Sequence, residues 1–109
     1  MVISFAEMEE KALPNFKGGE KQYDVKMFLE GNNKIMQGRL VPGASIGVHT
    51  HETDCEVIFI TSGSGKVVDD GEERKVCTGM ALFCPKGHEH TLINDGAADL
   101  CFYAAVIEQ

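Results

Sequence analysis

The chain has 109 residues, of which 43% are hydrophobic and 25% charged, a balance typical of one globular domain. Ten Lys and Arg against seventeen Asp and Glu give a formal net charge of −7, which disfavours nucleic acid as a partner. The longest apolar run, residues 100–107, is far shorter than the roughly 20 residues of a membrane helix. The acidic start, with Glu7, Glu9 and Glu10, is unlike a signal peptide. We therefore expect a single-domain protein of the cytoplasm, residues 1–109, that contacts no membrane.

The turn signals along the chain predict an all-β fold. Residues 1–22 form an N-terminal arm in which 7–13 is the only candidate helix, ended by Pro14. Glycine-rich and polar turns then separate short strand-like segments every 8–12 residues or so, which is typical of a β-sandwich or barrel. The predicted strands are 23–29, 34–41, 46–51, 56–61, 66–68, 74–77, 80–84, 88–93 and 99–107.

Two of these strands are apolar on both faces, namely residues 57–60 and 100–107. A strand with one face in water would alternate polar and apolar residues. Something therefore covers the outer face of this sheet. We expect a second copy of the chain, which makes a homodimer; the alternative is that the N-terminal arm folds over the same face.

The four cysteines lie far apart, without a Cys-x-x-Cys pair, at positions 55, 77, 84 and 101. This spacing disfavours a zinc site made from cysteines. With no export signal, disulfides are also disfavoured. We expect these cysteines to act as small apolar side chains.

The four histidines form two His-x-His pairs, His49 with His51 and His88 with His90. Residues i and i+2 of a strand point to the same face, so each pair can direct two imidazoles into one space. Imidazole is a common metal ligand. Glu56 opens an apolar strand, where an inward carboxylate needs a partner. A transition metal bound by histidines and this glutamate would provide one.

Two sets of residues in this region have the spacing of known motifs. The first is Gly43, His49, His51, Glu56 and Gly63; the second is Gly79, Pro85, Gly87, His90 and Asn94. Both sets resemble the two motifs of the cupins, and the 15 residues between Gly63 and Gly79 resemble the short inter-motif segment of small microbial cupins. Met80 departs from the pattern, because an acidic residue often follows the first glycine of the second motif.

The resemblance implies a double-stranded β-helix, a jelly-roll-like barrel of two antiparallel sheets, with residues 43–94 as its motif core. It also implies one divalent metal bound by His49, His51, Glu56 and His90. Three imidazoles and one carboxylate leave two positions of an octahedral shell open for water or a chelating ligand. Manganese, iron, nickel and zinc all suit these ligands.

Further residues are candidates for roles around such a metal. Glu56, His88 or a metal-bound hydroxide would move a proton, with His88 expected at the rim of the pocket rather than as a fifth ligand. Ile58 and Leu92 share the strand faces of Glu56 and His90. Other pocket candidates are Gln37, Arg39, which could pair with a substrate carboxylate or phosphate if it faces inward, and Tyr103.

The cupin fold hosts unrelated activities, so fold alone does not set the reaction. We expect a small metalloenzyme that uses its metal as a Lewis acid on a small oxygen-chelating substrate, of the isomerase, lyase or dioxygenase type. The alternative is a non-catalytic module that binds a metal or a small metabolite. We expect a small-molecule ligand as the partner of the chain.

Overall fold

Two antiparallel sheets form the protein, as described by a computed structural model of residues 1–109. The six-stranded sheet has the order β1-β2-β3-β10-β5-β8 and the four-stranded sheet the order β4-β9-β6-β7. The strands are β1 Lys11–Pro14, β2 Gln22–Glu30, β3 Asn33–Leu40, β4 Ser45–Thr50, β5 Asp54–Ser62, β6 Ser64–Asp69, β7 Glu72–Cys77, β8 Ala81–Cys84, β9 Glu89–Ile93 and β10 Leu100–Glu108. The predicted all-β double-stranded β-helix is thereby confirmed.

The N-terminal arm differs from the prediction. The expected helix over 7–13 is wrong: the arm contains two 3₁₀ turns, Phe5–Glu7 and Phe16–Gly18, and the strand β1. β1 pairs antiparallel with β2, with Lys11 opposite Val25. A seven-residue helix is too short to be stable alone, whereas an edge strand gains ladder hydrogen bonds and tolerates Pro14. No helix in the structure is both long and apolar enough to cross a membrane.

The core lies between the two sheets and arises from the alternation of side chains along each strand. In β3 the buried residues are Met36, Gly38 and Leu40. Leu100, Phe102, Ala104 and Val106 have the same role in β10. Because residues at i and i+2 share a face, the odd-numbered residues of β3 and β10 point away from the core.

The outer face of the six-stranded sheet carries exposed apolar side chains. Phe59 is 53% exposed and Phe83 61%, and Tyr103 lies directly opposite Phe59 across β10 and β5. The N-terminal arm covers part of this face, because the ring centroid of Phe5 lies 5.7 Å from that of Tyr103. Phe59 and Phe83 are left in solvent by the arm.

Candidate metal centre

Both sheets contribute to a cluster of His49, His51, Glu56 and His90. In the four-stranded sheet, β4 presents His49 directly opposite His90 on β9, and His51 follows the end of β4. Backbone hydrogen bonds between His51 and the 87–88 turn prolong this pairing beyond the strand ends. Glu56, on β5 of the other sheet, faces the three imidazoles across the barrel interior.

The side-chain atoms of the cluster converge on one point. The Glu56 Oε1 lies 2.9 Å from Nε2 of His90, 3.2 Å from Nε2 of His51 and 3.9 Å from Nε2 of His49. The Nε2 of His90 lies 3.0 Å from that of His51 and 3.2 Å from that of His49. All four possible ligand atoms are within 4.8 Å of one another, an arrangement that could hold a metal ion.

Hydrogen bonds at Nδ1 fix the orientation of the imidazoles of His49 and His51. The Nδ1 of His49 donates to the carbonyl oxygen of Gly47 at 2.8 Å. The Nδ1 of His51 donates to Oδ1 of Asp54 at 2.6 Å. A proton on Nδ1 leaves the Nε2 lone pair of the neutral ring free to face the cluster, which is how metal-binding histidines are commonly held.

The electrostatics of the cluster favour a cation at its centre. Burial alone would raise the pKa of Glu56, but hydrogen bonds with His49, His51 and His90 outweigh it and hold that pKa well below its usual range. The hydrogen bond to Glu56 raises the pKa of His51; burial opposes this effect and Asp54 adds to it. A buried carboxylate and converging imidazole nitrogens fit a divalent transition metal, which takes these ligands directly.

Three residues of the cluster, His49, His51 and Glu56, line a cavity of about 240 Å³. This volume is slightly below the range of about 300–1,000 Å³ that is typical of ligand pockets. Its apolar walls come from Phe16, Tyr23, Met27, Met36, Ile46 and Val106, and its polar lining residues are Lys17, Lys34, His49, Thr50, His51, Glu52, Thr53, Asp54 and Glu56. A ligand in this cavity would touch the cluster with one end and apolar surface with its body.

The five pocket candidates predicted from the sequence do not line this cavity. Gln37 donates to the hydroxyl of Tyr103 at 3.2 Å on the outer face of the sheet. Arg39 also points outward, where its guanidinium forms ion pairs with acidic side chains. Ile58 and Leu92 do point inward, but both are buried in the core between the sheets. Gln37, Arg39 and Tyr103 are outside the cavity because they lie on the outer face of the sheet. Ile58 and Leu92 are outside it because they are packed in the core.

The sequence reasoning missed the residues that do form the wall. Lys34 and Met36 lie on the inward face of β3, the opposite face from Gln37 and Arg39. The alternation of Met36, Gly38 and Leu40 was the available signal, because small and apolar residues mark a buried face.

His88 lies outside the cavity. Its Nδ1 contacts Oδ2 of Asp70 at 2.6 Å, and both side chains are about half exposed. Its carbonyl oxygen accepts the backbone N–H of His51. The residue therefore supports the turn beside the cluster through its backbone, while its imidazole faces Asp70.

Comparisons with known proteins find a matching family model and similar structures. A family model described as "Cupin domain" matches residues 36–106. The chain is 30% identical to the "Oxalate-binding protein" of Thermotoga maritima, over 98% of this chain and 93% of that protein. A crystal structure from Thermotoga maritima, described as a predicted oxalate decarboxylase, has a TM-score of 0.93 at 28% identity, with all of both chains covered. A sugar phosphate isomerase of a cupin superfamily from Silicibacter pomeroyi has a TM-score of 0.80 at 19% identity, covering 100% of this chain and 76% of that one.

Proposed function

Because the chain belongs to the cupin family, we propose that it holds one divalent transition metal and presents it to a small, oxygen-chelating anion. The observation that carries this proposal is the convergence of three Nε2 atoms and one carboxylate beside a cavity that three of these four residues line. When bound, the metal supplies Lewis-acid polarisation of a ligand oxygen. Manganese, iron, nickel and zinc all suit three imidazoles and one carboxylate.

The residues of the chain have separable tasks in this proposal. His49, His51, Glu56 and His90 are the metal ligands, and Gly47 and Asp54 hold two of the imidazoles in the orientation that ligation needs. Met27, Met36 and Val106 exclude water from one side of the ligand. Glu56 lines the cavity, but it would need to leave the metal and the imidazoles that hold its pKa low before it could exchange a proton with a ligand there. His88 would need to leave Asp70 before it could share that role.

The ligand class follows from the open metal positions together with the relatives. A small anion with two neighbouring oxygens can occupy two adjacent positions of an octahedral shell. The relative from Thermotoga maritima is named for oxalate, which is such an anion. We propose an enzyme of the isomerase, lyase or dioxygenase type. A non-catalytic binding module is the second candidate, and the name of that relative together with the position of His88 outside the cavity favours it.

Elemental analysis of the purified protein tests the metal site. We expect about one transition metal per chain in the native protein and in His88→Ala, whose side chain lies outside the cluster, and none in His51→Ala. Absence of metal from the native protein, even after reconstitution, would contradict the proposal. Oxalate is then added to the metal-loaded protein: product formation supports the enzyme, and saturable binding without product supports the binding module.

We also propose that the exposed apolar face of the six-stranded sheet joins two copies of the chain into a homodimer. Phe59, Phe83 and Tyr103 lie close together across β10, β5 and β8 and would be buried by a second copy. Light scattering of Phe83→Lys should then give the mass of one chain. Leu29→Lys, which alters an equally exposed apolar residue elsewhere, should keep the mass of two. A native protein with the mass of one chain contradicts the dimer.

A cytoplasmic location stays a prediction. The four cysteines are free thiols in the structure, which is compatible with a reducing compartment.

A further inference from the structure

Two lysines are the only basic side chains besides histidine among the residues that line the cavity. Lys34 enters from β3, and Lys17 enters from the 3₁₀ turn Phe16–Gly18. The ion pairs of the chain engage Arg39, Lys66 and Arg74, so neither cavity lysine is neutralised by a carboxylate of the protein. The Nζ of Lys17 lies 5.6 Å from the centroid of the Phe16 ring, and no carboxylate holds either ammonium group.

The sheet register places Lys34 in line with Glu56 across the six-stranded sheet. Lys34 lies opposite Val106 on β10, and Val106 lies opposite Glu56 on β5. Neighbouring strands are about 4.8 Å apart, so two strand spacings, roughly 9–10 Å, separate the backbones of Lys34 and Glu56. All three side chains point to the inner face, and only the short side chain of Val106 stands between the lysine and the carboxylate.

The backbone of Lys17 is held by close packing against β4. Lys17 has a φ of 56°, in the left-handed region that non-glycine residues rarely adopt. Its carbonyl oxygen lies against Gly47, where a Cβ would collide with it. Non-glycine residues in this conformation cluster at ligand sites. The turn that carries Lys17 is thus packed directly on β4, the strand of His49.

None of the carboxylates that line the cavity forms an ion pair with Lys17 or Lys34. Glu56 faces the three imidazoles, and Asp54 accepts the hydrogen bond from His51. Glu52 is exposed on the turn between β4 and β5. With a divalent cation in the cluster, positive charges outnumber negative ones along the cavity, in a chain whose formal net charge is −7.

We propose that Lys34, assisted by Lys17, is a second anion-binding point, and that the natural ligand is a dianion whose chelating end binds the metal and whose other end carries a carboxylate or phosphate. This proposal rests on the function proposed above and narrows its ligand class. The body of the ligand would lie over Val106 and Met36, and its distal anionic group would reach the Lys34 ammonium. Oxalate, with only two carbons, would use the metal end alone.

Two matched ligands test the contribution of the metal and that of Lys34 independently. 2-Hydroxypentanoate and 2-hydroxyglutarate have the same chelating end and the same number of carbons, but only the second has a distal carboxylate. Isothermal titration calorimetry on the zinc-loaded protein should give a Kd about tenfold lower for 2-hydroxyglutarate, the size expected of a hydrogen bond between charged groups in a partly solvated site. In Lys34→Met the ratio should fall below about threefold while 2-hydroxypentanoate binds as before. Lys17→Met should reduce the ratio less.

Lys75→Met is the control for the loss of one positive charge, because Lys75 is an exposed residue of β7 in the other sheet; it should leave the ratio unchanged. Equal Kd values for the two acids in the native protein overturn the second anion-binding point. An equal loss for both acids in Lys34→Met, or the same loss in Lys75→Met, also overturns it. Metal-dependent binding of 2-hydroxypentanoate supports the proposed function in either case. If zinc binds but neither acid does, the proposed ligand class fails, and the second anion-binding point with it.

Discussion

The hydrogen bond between His51 and Asp54 offers a direct test of how the metal centre is built. Asp54→Asn keeps the size of the side chain and removes its negative charge. In the native protein the carboxylate accepts the Nδ1 proton of His51 at 2.6 Å and so directs the Nε2 lone pair toward the cluster. We expect Asp54→Asn to retain the fold and to bind metal more weakly than the native protein.

The size of the loss follows from the geometry. A cation bound on the far side of the His51 ring would lie roughly 6–7 Å from the Asp54 carboxylate. The attraction between a divalent and a unit charge at that distance is about 1–3 kcal/mol if the effective dielectric constant lies between that of water and half of it. This corresponds to a loss of roughly 10- to 100-fold in affinity, the range typical of outer partners of metal-binding histidines.

Competition with a chromophoric chelator measures the zinc affinity of each variant. Glu52→Gln is the matched control, because it removes a carboxylate that lies two residues before Asp54 and bonds to no histidine. We expect a change of less than about threefold for this exposed charge. Equal losses in Asp54→Asn and Glu52→Gln would refute the reasoning, since the effect would then be one of net charge. An unchanged affinity in Asp54→Asn would refute it as well.

Three further predictions follow from the site and the core. Metal affinity should be lower at pH 6 than at pH 8, because the hydrogen bond to Glu56 raises the pKa of His51 above its ordinary value of 6.5. Below that raised pKa a proton competes with the metal for His51. Chelator competition at both pH values measures the metal affinity, and equal affinities would contradict the prediction. Gly47→Ala should lower the free energy of unfolding by about 1–3 kcal/mol, since its Cβ would collide with the Lys17 carbonyl oxygen. It should also weaken metal binding, since the Gly47 carbonyl orients His49; urea denaturation and zinc titration measure both effects, and an unchanged protein would contradict the close packing. Phe102→Ala should cost about 3–5 kcal/mol, because Phe102 is 1% exposed. Leu29→Ala, at a residue that is 60% exposed and lies outside the proposed dimer face, should cost far less in the same urea denaturation series, and equal costs would contradict the placement of the core.

The sequence by itself determined most of the strands. Each of the nine predicted strands is present with ends within two residues of the prediction, because glycine and polar turn residues mark strand ends locally. The cluster of His49, His51, Glu56 and His90 was also predictable from local spacing. His49 and His51 share a face through the strand period of two, and the motif spacing singles out Glu56 and His90.

The features that depend on strand pairing and on packing between the sheets were decided only by the tertiary structure. Residues 11–14 became a strand because β2 offers them an edge, which no local preference of those residues reveals. The direction of Arg39 depended on which face of β3 met the second sheet, and that choice placed Lys34 and not Arg39 beside the cluster. Alternation tells which residues share a face of a strand, but a partner across the barrel is needed to decide which face becomes the inside.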